Sequence, residues 1–292
     1  MNIFLGLDIG GTKIMAAAAD EQGKLLRRVR ADTPAALTDG LALLKQMTTG
    51  LVEDDTLLAV GAAAGGPLNP ETGIVSPLHQ PGWRDVPLKA IFEAEFGSPF
   101  FVDVDTNAGA LAEVLFGGET ASRLLYLTLS TGMGGGFLVD GQIYRGSGGR
   151  HPEVAHQGVA FRCAHPERVV CDCGAPDCLE ALVSGAGIRR VYGKPAEALS
   201  AEEWSEVAFN LGLGLRNLAV ILAPDAIVLG GGVAFGGGEP FLTGARRVME
   251  ERLFLVPPPR LSLSRLGYDT ALLGAVALAR LGYTNAHAGK TI

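Results

Sequence analysis

Apolar residues along this chain come in short runs punctuated by glycine turns. Ile3 to Ile9 is the first run, interrupted only by Asp8, and it ends at Gly10-Gly11-Thr12-Lys13. A second run, Ile14 to Ala19, follows at once. Two apolar runs joined by Gly-Gly predict a β-hairpin. The pattern recurs later: Leu124 to Leu129, then Ser130-Thr131-Gly132-Met133-Gly134-Gly135-Gly136, then Phe137 to Val139. Strand, Gly/Thr turn and strand occurring twice predict a duplicated domain.

Between the hairpins, residues 37–52 carry a helical period, Leu57 to Ala63 reads as a buried strand, and 64–86 as a Gly/Pro loop. A short helix is predicted from Pro87 over 87–96. Phe100 to Val104 is a strand running into a helix at about 107–116. The second half predicts a long apolar helix over 202–222 and a buried strand at Ala226–Leu229. A Gly230-Gly231-Gly232 turn follows, then a helix over 239–252, a strand at Arg260–Leu266 and a closing helix at Asp269–Leu281.

The turns carry the first candidate chemistry. In a Gly-Gly turn the backbone N–H groups, with the Thr12 hydroxyl and Lys13, can cradle a phosphate, while Asp8 can hold Mg²⁺ through water. The bland reading is a tight hairpin with no ligand. A second facing hairpin, with Thr131, Gly132 and Gly134, favours a grip on a nucleotide triphosphate. Asp105 falls at the carboxyl end of a strand, where open α/β sheets place ligands. It serves equally well as a helix N-cap. The Gly230–Gly232 turn leaves room for a flat ligand, but its spacing is weak evidence for a dinucleotide site, and the first strand does not begin a βαβ unit.

Glu153-Val154-Ala155-His156 precedes a segment that reads Cys171-Asp172-Cys173-Gly174-Ala175-Pro176-Asp177-Cys178-Leu179-Glu180. His156, Cys171, Cys173 and Cys178 supply four N/S ligands for a closed tetrahedral Zn²⁺ site. A disulfide pair or an accidental cluster are the alternatives. Metal on one ring nitrogen puts the proton on the other, so His156 becomes an oriented donor flanked by Glu153 and Glu180. One donor between two acceptors suits a polyhydroxylated substrate. Cys163 is left over, as a replacement ligand or a small buried apolar residue.

Composition trims the remaining function classes. The 292 residues allow two domains, and 48% hydrophobic with 19% charged residues describes a well-cored globular protein. A net charge of −7 and the lack of a dense Lys/Arg cluster argue against nucleic acid. The longest apolar stretch, Leu218–Val233, is broken by Pro224 and Asp225, and no basic-then-apolar leader opens the chain. The expectation is a cytoplasmic protein with no membrane association.

With these pieces in order, the sequence resembles the ROK family of sugar kinases within the actin/hexokinase-like ATPase superfamily. The resemblance rests on DIGGTK at 8–13, Asp105-Thr106-Asn107, STGMGGG at 130–136, Glu153–His156, the CxCGxxxC segment with Glu180, and LGGGV at 229–233. It implies an α/β fold of two ribonuclease-H-like lobes with an interlobe cleft for ATP and sugar. The lobes would span 1–117 and 118–279, with a C-terminal helix at about 280–292 packing back on the first. It implies Asp105 as the general base, with Asn107, Glu153, His156 and Glu180 on sugar hydroxyls. Gly10, Gly11, Thr12, Lys13, Thr131, Gly132, Gly134, Gly231 and Gly232 would line ATP. The implied activity is ATP- and Mg²⁺-dependent phosphorylation of a hexose, glucose first, with fructose, mannose or an N-acetylhexosamine as alternatives, in a homodimer carrying structural zinc.

Three departures bear on the sugar. Val104 replaces an asparagine before the catalytic aspartate, Ala155 replaces a glycine, and Ser76–Trp83 lacks a sugar-contacting asparagine. His79 or Gln80 is left to take that role, against the simpler reading of a solvated loop histidine. The Gly148–Glu153 run resembles the HPE variant of fructokinase- and mannokinase-like members. Sugar-responsive repressors of the family carry a DNA-binding module before the first strand, and only seven residues precede Asp8. A catalytically dead sensor need not keep Asp105 and both turns. The expectation is a kinase.

Overall fold

The computed structural model describes residues 1–78 and 80–289, and His79 therefore lies outside the described residues. The chain forms two compact units, 1–119 together with the segment from Asp269, and 120–268.

In the first unit, β1 (Asn2–Ile9), β2 (Lys13–Ala19) and β3 (Leu25–Asp32) precede α1 (Leu37–Val52) and β4 (Thr56–Ala64). Three two-residue strands follow, β5 (Leu68–Asn69), β6 (Ile74–Val75) and β7 (Val86–Pro87), then α2 (Leu88–Phe96), β8 (Phe100–Val104) and α3 (Asp105–Leu115). The five-stranded sheet has the order β3-β2-β1-β4-β8. β1, β4 and β8 are parallel, and their register places Asp8, Ala63 and Asp103 in one row. The carboxyl ends of β1 and β8 thus meet one edge of the sheet, two strand spacings apart, about 10 Å.

Alternation explains both faces. Ile3, Leu5 and Leu7 face a core shared with Leu44, Met47 and Leu51 of α1 and with Trp83. Phe4 turns to the other face, with Ala59 and Ala279. On that face a β-carbon at Gly61 would lie 2.0 Å from the Ala275 carbonyl oxygen. Neither backbone can yield cheaply, so Gly61→Ala is expected to destabilise the protein by ~1–3 kcal/mol or more. Urea unfolding of the variant checks this, and an unchanged midpoint would contradict the packing.

β3 was not anticipated, because it carries Arg27, Arg28 and Arg30 and sits at the sheet edge with little alternation. The 64–86 segment, expected as a loop, contributes the small sheet β5-β6-β7.

The second unit repeats the plan. β9 (Arg123–Leu129), β10 (Met133–Val139) and β11 (Gln142–Ile143) precede α4 (Glu180–Val183), α5 (Gly185–Tyr192) and α6 (Ala201–Leu222), with β12 (Ala226–Gly230), α7 (Gly232–Glu250) and β13 (Arg260–Leu263) after them. The order β11-β10-β9-β12-β13 matches the first sheet position for position: an antiparallel hairpin, then parallel partners on the side of the first strand.

α6 begins in a capping box, with the Ser200 hydroxyl accepting from Glu203 N–H and the Glu203 carboxylate from Ser200 N–H. It is long and apolar enough to cross a membrane, but Val207, Leu211, Leu215 and Leu218 pack it into this unit's core. The helix expected at 239–252 instead starts at Gly232. It is kinked at Gly238 (φ 57°, ψ −154°) just before Pro240, so a helical pattern read from sequence finds only its second half.

The chain closes with α8 (Thr270–Ala288), which packs on β1, β4 and α3 of the first unit. Its Gly274 sits against the Ala108 carbonyl, where a β-carbon would lie 2.3 Å from the oxygen.

Candidate functional site

The β1–β2 turn is tied down from several sides. Gly10 N–H donates to the Lys13 carbonyl at 3.0 Å, and a β-carbon on Gly10 would press that oxygen at 2.9 Å. Thr33 donates its hydroxyl to the Gly10 carbonyl at 2.7 Å and its N–H to the Thr12 carbonyl at 3.1 Å. The turn's carbonyls are thereby occupied, while Gly11 and Thr12 remain exposed. No motif had singled out Thr33, because β3, the strand that ends beside it, was itself not anticipated.

Asp8 is half-buried at the end of β1, and its carboxyl group is pushed up to about 7. Burial is the main cause, the negative charge of Asp105 adds to it, and Lys13 opposes it. Asp8 and Asp105 therefore face each other closely enough to repel, an arrangement that a cation relieves. The sign of the pH effect follows. Between about pH 4 and 7 the folded protein binds more protons at Asp8 than the unfolded chain, so stability falls as pH rises through that window. Asp8→Asn is expected to flatten this part of the slope. Chemical denaturation from pH 4.5 to 7.5 without divalent cations measures it, and an identical slope in the variant would refute the origin at Asp8.

Asp105 is the first residue of α3 and is exposed, whereas Val104 occupies the N-cap position with no side-chain cap bond. The cap reading of Asp105 is therefore set aside. Asn107, two residues further on, is fully buried. Its Nδ2 donates to Asp103 Oδ1 at 2.9 Å, and its Oδ1 has no partner. Asp103 Oδ1 also accepts from Val104 N–H at 2.7 Å, so this buried pair braces the strand-to-helix corner that presents Asp105.

In the second unit the STGMGGG motif divides. Ser130–Gly132 form the turn, and Met133–Gly136 already lie in β10, with Gly134 paired to Thr128. Gly135 is needed for closeness, since a β-carbon there would meet Val154 at 2.5 Å. The start of α5 holds the turn from behind: Gly185 N–H donates to Ser130 O at 2.7 Å and Ala186 N–H to Thr131 O at 2.9 Å. Glu180 Oε2 accepts from Met133 N–H at 2.9 Å and lies where a β-carbon on Gly132 would come within 3.0 Å. Gly231 (φ +92°) packs against Leu129, with its β-carbon position 2.3 Å from that carbonyl oxygen, and Gly232 opens α7 in an exposed place.

The ligand atoms of His156, Cys171, Cys173 and Cys178 all lie within 4.8 Å of one another. His156 comes from a 3₁₀ turn at Val154–His156, Cys171 and Cys173 from a knuckle closed by Gly174 N–H to Cys171 O, and Cys178 from a bridge pairing it with Gly158. Cys173 and Cys178 sulfurs are 3.4 Å apart, and Cys171 Sγ is 3.4 Å from His156 Nδ1. These edges are close to the ~3.5–3.8 Å of a zinc tetrahedron with bonds of about 2.0–2.3 Å, and far from a disulfide. All four cysteines are free thiols.

Burial pushes the Cys171 and Cys178 thiols up, the latter to about 12, while a hydrogen bond from the backbone N–H of Ala175 leads in drawing Cys173 down to about 7. Nδ1 of His156 faces the Cys171 sulfur, which leaves Nε2 outside the cluster of ligand atoms. Cys163 stands apart, its sulfur accepting from His165 N–H at 3.3 Å. Glu153 is exposed and pairs with His151 Nε2 at 3.4 Å, and Glu180 Oε1 lies 3.7 Å from Cys171 Sγ.

A family model described as ROK family matches residues 4–281. A glucokinase of Streptomyces coelicolor is 30% identical, the alignment covering 96% of this chain and 98% of that protein. The crystal structure of a ROK hexokinase from Thermus thermophilus is similar with a TM-score of 0.84 and 31% identity, over 97% of this chain and 99% of the other. A ROK family glucokinase from Streptomyces griseus, solved in complex with glucose and AMPPNP, gives a TM-score of 0.80 and 29% identity over 96% and 100%.

Proposed function

The chain belongs to the ROK family and is an ATP-dependent sugar kinase, and we propose that it phosphorylates a hexose, glucose first, with Asp105 as the general base. The observation that supports the residue assignment is that Asp8, on β1, and Asp105, directly after β8, lie at one edge of the first sheet, where the negative charge of Asp105 raises the Asp8 group. That edge joins a carboxylate fit to accept a proton, on the start of α3, to the Gly10–Gly11 turn on β1.

The two carboxylates and the raised Asp8 group fit a divalent cation. Mg²⁺ held beside Asp8 would neutralise phosphate charge, the main requirement of phosphoryl transfer besides positioning. Asp105 accepts the proton of the attacking hydroxyl. Gly10, Gly11, Thr12 and Lys13, with Thr131, Gly132 and Gly134, hold the phosphates of ATP, and Gly231 and Gly232 leave room for adenosine. Glu153, His156 and Glu180 orient sugar hydroxyls, with His156 Nε2 as donor and the carboxylates as acceptors. Asn107, whose Nδ2 is held by Asp103, braces the corner that presents Asp105 and keeps Oδ1 for a sugar hydroxyl. Zn²⁺ held by His156, Cys171, Cys173 and Cys178 would fix the imidazole and the 171–178 loop, a structural role.

We further assign the two active lobes to the two compact units, and a homodimer in the cytoplasm is the working arrangement. The His151-Pro152-Glu153 run keeps mannose and fructose as the second reading of the acceptor. The experiment is ADP release from Mg-ATP against glucose, mannose, fructose, N-acetylglucosamine, N-acetylmannosamine and allose. Turnover best on glucose supports the first reading, and turnover best on mannose or fructose supports the second. Silence across the panel would overturn both.

A further inference from the structure

The second unit carries a hollow of about 360 Å³ whose walls belong to none of the candidate site residues. Val159, Leu213 and Phe254 supply its apolar surface, and Arg216, Asn217 and Arg252 its polar side chains. Leu213, Arg216 and Asn217 share one face of α6 through their spacing of three and four. α7 comes close enough to bring Arg252, just past its end, beside them. A β-carbon on Gly212 would lie 2.6 Å from the Ala245 carbonyl oxygen and 2.6 Å from the Val248 side chain, so only glycine admits this approach.

The two guanidinium groups are held side by side. Arg252 Nη1 donates to Val248 O at 3.1 Å and to Glu251 Oε2 at 3.4 Å. Arg216 Nε donates to Arg252 O at 3.5 Å, and its Nη1 to Asn217 Oδ1 at 3.3 Å. Arg162 adds a third positive charge close by, since its guanidinium and that of Arg252 lie 4.0 and 5.4 Å from the centroid of the Phe209 ring. Among the described residues, Glu251 is the only carboxylate in an ion pair with any of these three arginines. Nη2 of Arg216 and Nη2 of Arg252 have no hydrogen-bond partner among them. In a chain of net charge −7, this gathering of like charges is a local positive field that an anion relieves.

The polar groups also say which anion. Asn217 Oδ1 is turned to Arg216, so Nδ2 is the end of that amide left for a ligand. Two guanidinium forks and an amide N–H are all donors. A carboxylate brings two oxygens to these three groups, whereas a phosphate monoester brings three and a charge of about −1.5 to −2. Bare phosphate would leave most of the hollow empty, since its volume falls in the ~300–1,000 Å³ range of sites for whole small molecules. The Phe254 ring, 88% exposed, offers an organic body a face to rest on, with Leu213 beside it. Gly158 closes the hollow elsewhere, and a β-carbon there would meet Asp177 Oδ2 at 2.7 Å, so the phosphate belongs at the arginines. Gly158 also bridges to Cys178, and an occupant would therefore border the metal knuckle.

We propose that this hollow binds a phosphate monoester, with Arg216, Arg252 and Asn217 on the phosphate and Phe254 and Leu213 under its organic body. None of these residues is among those assigned to ATP, sugar or zinc, so the site stands apart from the sugar-kinase reading.

The test is calorimetric titration of the whole protein with phenyl phosphate, benzoate and inorganic phosphate, in wild type, Arg216→Gln and Phe254→Ala. Arg216 is in no ion pair among the described residues and glutamine is a good helix former, so α6 should survive the change. Phe254 is too exposed for alanine to empty the core. Wild type is expected to bind phenyl phosphate, and benzoate and inorganic phosphate roughly tenfold or more weakly. Arg216→Gln should lose roughly tenfold or more on phenyl phosphate, the worth of a hydrogen bond to a charged group. Phe254→Ala should weaken phenyl phosphate and leave inorganic phosphate as in wild type.

No binding by wild type would overturn the site. Equal affinity in wild type and Arg216→Gln would do the same, because the ligand would then be held elsewhere, as at the phosphate turns. Benzoate binding as tightly as phenyl phosphate would refute the choice of anion. Sedimentation supplies a further check: a lower mass in solution for Phe254→Ala than for wild type would mean that a second copy covers this face, and the proposal would fall. The melting temperature gives an independent readout. Phenyl phosphate should raise it in wild type and much less in Arg216→Gln, and an equal rise in both would count against the hollow.

Discussion

Replacing Asp105 by asparagine is expected to lower turnover by roughly 10²–10⁴-fold while leaving sugar affinity within a few-fold of wild type. The reasoning runs from where the residue sits. Asp105 is the first residue of α3, exposed, and not engaged as the helix cap, so its loss removes no cap bond and empties no core. Asparagine keeps the size and remains tolerable in the first turn, and it accepts a hydrogen bond from the sugar hydroxyl without taking its proton. The interaction lost is therefore one made mainly at the transition state, which lowers kcat and kcat/KM together and leaves KM nearly alone.

The same variant has a second readout. The Asp105 charge contributes to holding Asp8 protonated, so Asp105→Asn should let Asp8 ionise at lower pH and move the stability–pH slope accordingly. Unfolding of the variant, or unchanged activity, would contradict the base assignment. Loss of activity with loss of sugar binding would recast Asp105 as a binding group.

Most of the candidate site is written in local signals. The Gly-Gly turns, Asp105 after an apolar strand and the Cys–x–Cys knuckle each need only neighbouring residues to be recognised. The repetition of the sheet plan was also foreshadowed by two hairpins of the same kind, though its five strands were not. What escaped depends on contacts distant in sequence. Edge strand β3 carries three arginines and no clean alternation, so its membership in the sheet is visible only from its pairing with β2. The first half of α7 is glycine-rich, and nothing local in Gly232–Gly238 says helix.

Asn107 reads by motif as a sugar contact; Asp103, four residues earlier in sequence, holds its Nδ2 inside the core, a brace that the motif does not show, while Oδ1 has no partner. Glu180 reads as a sugar acceptor. One of its oxygens is already held by Met133 N–H, which fixes the carboxylate against the Ser130–Gly132 turn and leaves Oε1 facing Cys171. The link between the 171–180 segment and that turn is tertiary, and a sequence reading had no means of seeing it.

Cys173→Ala is expected to abolish stoichiometric zinc binding and to weaken sugar binding about five- to tenfold. Cys173 is the informative position because it is exposed, whereas Cys171 and Cys178 are buried and their replacement would also disturb packing. Its sulfur lies 3.4 Å from Cys178 and within 4.8 Å of the other ligand atoms, so alanine opens one corner of the tetrahedron without emptying the core.

Two consequences follow from losing that corner. Binding of a structural metal contributes directly to folding, so the melting temperature should fall and become insensitive to a chelator that lowers it in wild type. His156 loses the partner that fixes its tautomer and ring orientation. Its Nε2–H is then no longer held toward a hydroxyl, and one oriented hydrogen bond is lost from the ground state. The effect belongs mostly in KM, with kcat changed less, because Asp105 lies in the other compact unit and is untouched.

Cys163→Ala is the control. That sulfur accepts from His165 N–H and lies outside the cluster of ligand atoms, so the variant should retain zinc and sugar affinity alike. Metal analysis of the purified proteins, melting curves with and without chelator, and sugar titration decide the matter together. Zinc retained in Cys173→Ala would refute the ligand set. A zinc-free variant with a wild-type KM would break the link from metal to His156 to sugar, and would leave the cluster as a fastener of the 171–178 loop alone.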